Sequence, residues 1–213
     1  MNDNDILLAT QNGNNLVLTT EEGDFPAGSK VFYYKNSSGN DKSVDLTSLT
    51  DGSDLFTTNT NLKVDWDVSI PNLAKSNYMF SYCTNLTSFS GDLPNLAKGN
   101  YMFSNCTNLT SFSGDLPNLT DGSYMFSMCT SLTSFTGNIP KLKNATWMFT
   151  YCKLDKKSVH HIAQSIPASP GGLSLDYNIS LGIDASLKND PDVAADLTLI
   201  GTTKKWKLTT EWN

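Results

Sequence analysis

The sequence predicts an α/β solenoid, a stack of parallel strands preceded by a small all-β N-terminal module. Three observations predict it. A five-residue word, Met79-Phe80-Ser81-Tyr82-Cys83, returns at Met102–Cys106, Met125–Cys129 and Met148–Cys152, each copy 23 residues after the last. Such a fixed interval is the signature of a repeat architecture. The residues between the words repeat as well, as in Cys83-Thr84-Asn85-Leu86-Thr87-Ser88-Phe89-Ser90-Gly91-Asp92-Leu93-Pro94-Asn95-Leu96. The stretch before the first copy follows another pattern, of short apolar runs broken by turn residues.

Each unit reads Met-Phe-x-x-Cys-x-x-Leu-x-x-Phe-x-x-x-Leu-Pro-x-Leu, with Ile139 in place of the penultimate leucine in the third full copy. Leu86 and Phe89 flank a short extended stretch, and Leu93 and Leu96 flank a turn that contains Pro94. Tyr101-Met102-Phe103 with Cys106 spans one helical turn or a tight bend. One unit cannot bury its own apolar edge. Stacked on its neighbours at the parallel-strand spacing of about 4.8 Å, its Leu, Phe, Met and Cys become ladders in a shared core. A degenerate copy comes first, with Leu55-Phe56, Asn59 in the cysteine place, Leu62, Ile70-Pro71 and Leu73, and one extra residue near Trp66. Five repeats are therefore expected over residues 51–155.

These words at this period resemble the BspA-like leucine-rich repeats, found in surface proteins of gut and oral bacteria and in phages that infect Bacteroidales. The resemblance covers about half of the chain. It implies a parallel-strand solenoid and a role in binding or adhesion, and leaves the ligand open because a fold does not carry a function with it.

A solenoid exposes an apolar face at each end and needs caps. Residues 156–213 read as two helix-strand units that supply one. Val159, Ile162, Ala163 and Ile166 have helical spacing, and Leu173-Ser174-Leu175 reads as a strand. A second helix is expected from Asp190 or Pro191 to Ile200 with Gly201 as its stop, then a strand over Trp206–Trp212. Within residues 1–50, strands are expected at Ile6–Thr10, Leu16–Thr20, Lys30–Tyr34 and Ser43–Leu46, with an Asn12-Gly13 turn after the first. This part is either a cap or an attachment domain.

Composition narrows the partners. The net charge is -6 and all fifteen cations are lysine, so the basic patch and forked guanidinium that nucleic-acid recognition favours are missing. No apolar run is long enough to span a membrane, and Met1-Asn2-Asp3-Asn4 lacks the cationic start of a secretion signal. Ser, Thr and Asn make up 69 of 213 residues, which suits an outward-facing hydrogen-bonding surface.

The chemical candidates mostly read as structure. Cys83, Cys106, Cys129 and Cys152 fall on equivalent rungs and point the same way, a poor arrangement for disulfides, and no Cys-x-x-Cys pair suggests zinc. They are expected as buried thiols. Cys152 with His160 or His161 and Asp155 could be written as a nucleophile set, but Cys152 continues the buried ladder. Asp92 and Asp115, with Asn138 on the next rung, could form the acid pair of a polysaccharide depolymerase if exposed aromatics such as Trp66 stood beside them. The plainer reading is that they are turn residues bonding backbone amides. No cofactor and no metal is expected.

The outward residues are the candidate binding surface. Thr87, Thr110 and Thr133, Ser88, Ser111 and Ser134, and Ser90, Ser113 and Thr136 form hydroxyl ladders on a sparsely charged face. Such a face suits a repeating ligand, a host surface glycan or a protein edge, or it is plain solvated strand. The resemblance, together with the lack of a secretion signal and the polar, arginine-free surface, implies a non-enzymatic virion component of a phage, a head-fibre, decoration or tail-associated protein. Its first fifty residues would dock on other virion proteins, and a homo-oligomer is compatible with this role. A bacterial cell-surface or extracellular adhesin is the alternative, and a polysaccharide depolymerase comes third.

Overall fold

The computed structural model describes residues 7–11, 14–19, 31–35, 38–60, 62, 65–169 and 177–213. Four strands come first, β1 (Leu7–Gln11), β2 (Asn14–Thr19), β3 (Val31–Lys35) and β4 (Asp41–Asp45), paired antiparallel in chain order. Each begins or ends within two residues of its expected place. The Asn12-Gly13 turn lies outside the described residues.

From Asp51 onward the backbone winds in rungs held by two parallel ladders. One is a sheet of two-residue strands, β5 (Asp65–Trp66), β6 (Ser88–Phe89), β7 (Ser111–Phe112) and β8 (Ser134–Phe135). The other runs through single bridges Asp51, Lys75, Lys98, Asp121 and Asn144. It continues into a parallel sheet of β9 (Asn144–Leu154), β10 (Asn178–Ile183) and β11 (Lys207–Trp212). Phe56 stacks on Phe80, 24 residues on, whereas Trp66 pairs with Phe89, 23 residues on, which places the extra residue of the first copy between Phe56 and Trp66.

Between the ladders each rung carries a compact run that satisfies its backbone in two directions. The N–H groups of Ser76, Tyr78, Phe80 and Tyr82 donate to Lys98, Asn100, Met102 and Ser104 of the following rung. The intervening N–H groups of Met79, Ser81 and Cys83 turn back three residues to Ser76, Tyr78 and Phe80. Seven of the eight donors from Ser76 to Cys83 are thereby paired, in keeping with the demand of a buried backbone. On β9 this run meets the extended β10, so that Asn178–Ile183 spans Asn144–Leu154 through two register shifts.

The core is two columns of rings. Phe56, Phe80, Phe103, Phe126 and Phe149 stack at 5.1–5.4 Å between centroids. Trp66, Phe89, Phe112 and Phe135 form a second column that meets the first edge-to-face, the geometry aromatic quadrupoles favour. Met, Cys and Leu ladders fill the rest, all buried. Gly91, Gly114 and Gly137 let adjacent backbones approach: a Cβ on Gly114 would lie 2.2 Å from the carbonyl oxygen of Gly91.

The C-terminal end closes the stack. Helix α1 (Lys156–Ser165) starts at Asp155, whose carboxylate accepts the Ser158 N–H at 2.8 Å, and buries the expected Val159, Ile162, Ala163 and Ile166. Ser158 Oγ accepts the Phe135 N–H at 2.9 Å and donates to Thr133 at 3.0 Å, so the helix takes the place of the next strand beside β8. Helix α2 (Pro191–Thr198) is capped by Asp190. Gly201 does not stop it: the chain continues through a wide turn over Leu199–Thr203 and Gly201 lies inside that turn. The strand expected at Leu173–Leu175 falls outside the described residues, and β10 lies beyond it at Asn178–Ile183, a strand the apolar pattern did not single out.

Replacing Gly114 by Ala should cost about 2–4 kcal/mol, the range for forcing backbone apart in a packed core. Gly122→Ala, which would press on the ends of the Met148 and Leu119 side chains at 3.2 and 3.3 Å, should cost far less. Thermal melts of the two variants, read side by side, check this.

Candidate functional site

The nine hydroxyl residues come together as expected in position. Thr87, Thr110, Thr133, Ser90, Ser113 and Thr136 are exposed, and Ser88, Ser111 and Ser134 half-buried, along the β5–β8 side. Part of their bonding capacity holds the rungs together: Thr110 Oγ1 donates to the Thr87 carbonyl at 3.0 Å, and Ser90 Oγ to that of Trp66 at 3.4 Å.

Asp92 and Asp115 sit in the next turn. Asp92 Oδ1 accepts the Asp115 N–H at 3.1 Å, and Asp115 Oδ1 accepts the N–H and the side-chain amide of Asn138 at 3.2 and 2.8 Å. Each carboxylate caps the rung after its own. Trp66 is not an exposed companion to them. It is fully buried, its ring stacked on Phe89 and its Nε1 donating to the Val68 carbonyl at 2.7 Å, because it fills the phenylalanine place of the first rung.

The four cysteines are buried free thiols, each donating to the carbonyl of the phenylalanine one rung earlier: Cys83 to Phe56, Cys106 to Phe80 and Cys129 to Phe103 at 3.0 Å, and Cys152 to Phe126 at 3.3 Å. Burial pushes the Cys83 thiol up to about 12 and raises the other three well above the ordinary thiol value. Cys152, the histidines and Asp155 go to separate partners. His161 Nε2 faces the Gly137 carbonyl at 3.1 Å, His160 Nδ1 faces the buried Asp196 carboxylate at 3.0 Å, and Asp155 caps α1.

A second outward surface escaped the sequence reading. The turns at 76–79 and 80–83 hold their third residue at positive φ, a place that usually goes to Gly or Asn. Here Tyr78, Tyr101, Tyr124 and Trp147 occupy the first turn (φ 58–59°) and Tyr82, Asn105, Met128 and Tyr151 the second (φ 59–64°). The left-handed turn aims these side chains outward. Tyr78, Tyr82, Met128, Trp147 and Tyr151 are the large exposed apolar side chains among the described residues. The first set stacks into a column, with centroids 4.7 Å apart for Tyr78–Tyr101, 4.4 Å for Tyr101–Tyr124 and 5.9 Å for Tyr124–Trp147. Partial burial and the phenols on either side raise the Tyr101 hydroxyl above its ordinary value. The signal was present as an aromatic residue, Tyr or Trp, before the Met-Phe pair of each full repeat, but only the hand of the turn shows that it faces outward.

A family model described as BspA type Leucine rich repeat region matches residues 52–169 in six copies, more than half of the chain. The chain belongs to this family. No curated protein and no solved structure matches it. A BspA-type repeat protein of this kind is a binding or structural protein. No helix among the described residues is long and apolar enough to cross a membrane. In this BspA-type array the leucines and phenylalanines build the core, and the tyrosine positions of the turns build the most apolar part of the outer surface.

Two predictions follow the two side-chain ladders. Because the folded thiols ionise far above an unfolded one, their contribution to stability is complete below the ordinary thiol value of 9.0 and declines as the pH climbs from there toward 12. Melting temperature should therefore fall through that window, and less steeply in Cys106→Ser. Tyr82→Asn, which copies the residue already found at Asn105, should change stability by under about 0.5 kcal/mol, whereas Tyr101→Asn loses two ring contacts and should cost about 1–3 kcal/mol. Chemical denaturation measures both.

Proposed function

We propose that this chain is a non-enzymatic adhesion protein whose repeat array presents a rigid, sparsely charged surface to a host-side ligand. The observation that carries the reading is the pair of outward rows at positive φ. Placing tyrosine, tryptophan and methionine where Gly or Asn is at ease costs of order 1 kcal/mol or more per residue, and such strain concentrates at sites with a task. Exposed apolar rows of this size are characteristic of interaction surfaces. The neighbouring hydroxyl ladders from Thr87 to Thr136 extend the same surface with groups that donate and accept hydrogen bonds.

Within that reading the chain serves as a virion component of a phage of gut Bacteroidales, as a head-fibre, decoration or tail-associated protein, with residues near 1–50 docking on other virion proteins. The likeness of its repeats to those of such phages supports this. The same likeness extends to bacterial surface proteins, which makes a cell-surface adhesin the second reading. Mass spectrometry of purified particles from a phage carrying this gene separates the two. The chain should be recovered from intact virions at a fixed ratio to the capsid protein. Recovery from bacterial envelopes alone would replace the first reading by the second.

A further inference from the structure

The exposed aromatic column ends abruptly, and its end forms a site. Tyr101, Tyr124 and Trp147 each lie on the ring before, but the two rungs after Trp147 are β10 and β11, which carry small hydroxyl residues at this place. Ser180 lies between the β10 residues paired with Ala145 and Phe149, and Thr209 is its partner on β11. One face of the Trp147 ring is covered by Tyr124 at an interplanar angle of 14°. The column supplies no ring for the other face, which looks over the step down to Ser180 and Thr209. The result is a depression of about 220 Å³, lined by Thr146, Trp147, Asn178, Ser180, Lys207 and Thr209 together with Ile179.

Trp147 is firmly placed. Its backbone N–H donates to Ser180 Oγ at 3.2 Å, and the turn before it is fixed by Asn144 Oδ1, which accepts from the N–H and hydroxyl of Thr146 at 3.1 and 2.7 Å. The ring is nevertheless 47% exposed. As acceptor in that bond, the Ser180 hydroxyl keeps its proton to donate. A pre-formed aromatic wall facing a few polar groups is the usual make-up of a small-molecule site.

We infer that this depression binds one ring of a saccharide, an inference that rests on the reading of the chain as an adhesion protein. The chemistry matches on both sides. A pyranose has a face of C–H groups carrying slight positive charge, which packs on the negative face of an indole. Its rim of hydroxyls needs short polar partners that both donate and accept, and Ser180, Thr209 and Asn178 are of that kind, with the Lys207 ammonium as a further donor at the edge. The exposed column leading up to Trp147 gives the rest of a glycan chain an apolar track across the turns.

The test uses the full chain on a microarray of neutral and uronic-acid-containing oligosaccharides, followed by calorimetric titration of the best-bound oligosaccharide into the parent and each variant, with tryptophan emission of the parent as a second readout. Trp66 and Trp206 are buried and Trp212 half-buried, so a bound sugar should act mainly on Trp147 emission. Trp147→Ala should weaken binding at least about ten-fold, while Trp147→Tyr, which restores the residue type of the other rungs, should stay within about three-fold. Thr209→Trp, on an exposed edge strand, should block the depression with Trp147 intact, and Lys157→Ala, exposed on α1 and outside both outward rows, should leave binding unchanged. Melting curves of each variant confirm folding. The inference is overturned if no oligosaccharide binds, or if Trp147→Ala and Thr209→Trp both bind as the parent does. A chain that is found in virions or on cells yet binds no sugar would refute this site and leave the adhesive role in place.

Discussion

Everything in this molecule depends on one spacing, the distance of about 4.8 Å at which parallel backbones hydrogen-bond. Each rung donates alternate N–H groups to the next, so equivalent residues of successive repeats are forced into contact. A residue type that packs well against a copy of itself is favoured at every position. Planar rings satisfy that condition at slightly more than the rung spacing, and two columns of phenylalanine result. Cysteine satisfies it differently, by passing its weak proton to the carbonyl of the rung behind. Glycine satisfies it at Gly91, Gly114 and Gly137 because any Cβ there would collide with the backbone of the previous rung. Asparagine side chains repeat the device on the outside, Asn95 and Asn118 donating to Pro71 and Pro94 at 2.7 Å.

The same constraint explains why an outer surface of aromatics is attainable. A turn that reverses direction within four residues needs a left-handed residue, and in a solenoid that need recurs on every rung at the same place. Glycine would relieve the strain and present nothing. Tyrosine accepts the strain, and stacking on the tyrosines above and below offsets part of it, since each aromatic pair contributes about 0.5–1.5 kcal/mol. In the second row, where Tyr82, Asn105, Met128 and Tyr151 alternate in kind, no such column forms, which marks that row as a set of separate outward side chains.

The ends break the regularity, and the irregular parts carry the most specific chemistry. On the β8 side, α1 covers Phe135, and the Ser158 hydroxyl joins the Lys153 and Asp155 N–H groups in bonding the edge that a further strand would take. Lys156 links the two helices by reaching Asp190 at 3.1 Å and Asp192 at 2.6 Å, a partly exposed contact that orients more than it stabilises. On the opposite side the compact run of β9 meets the extended β10, and this change of backbone form is what leaves Trp147 without a ring above it.

The sequence by itself determined the period, the start of the array near Asp51, the inward ladders and the capping helix with Val159, Ile162, Ala163 and Ile166. These are legible because burial acts through residue type, and a 23-residue repeat of Leu, Phe, Met and Cys has few ways to bury itself. It also placed Thr87, Thr110 and Thr133 outside and gave Asp92 and Asp115 their turn role. Three matters were left to the tertiary structure. Trp66 reads as a spare aromatic until its register shows it in the phenylalanine column. Gly201 reads as a helix stop until the wide turn through it is seen. The aromatics before each repeat's Met-Phe pair, Tyr78, Tyr101, Tyr124 and Trp147, read no differently from their inward neighbours, because in-or-out orientation there is set by the sign of φ. Backbone hand is decided by hydrogen bonds between rungs 23 residues apart, and no local pattern of residue types records it.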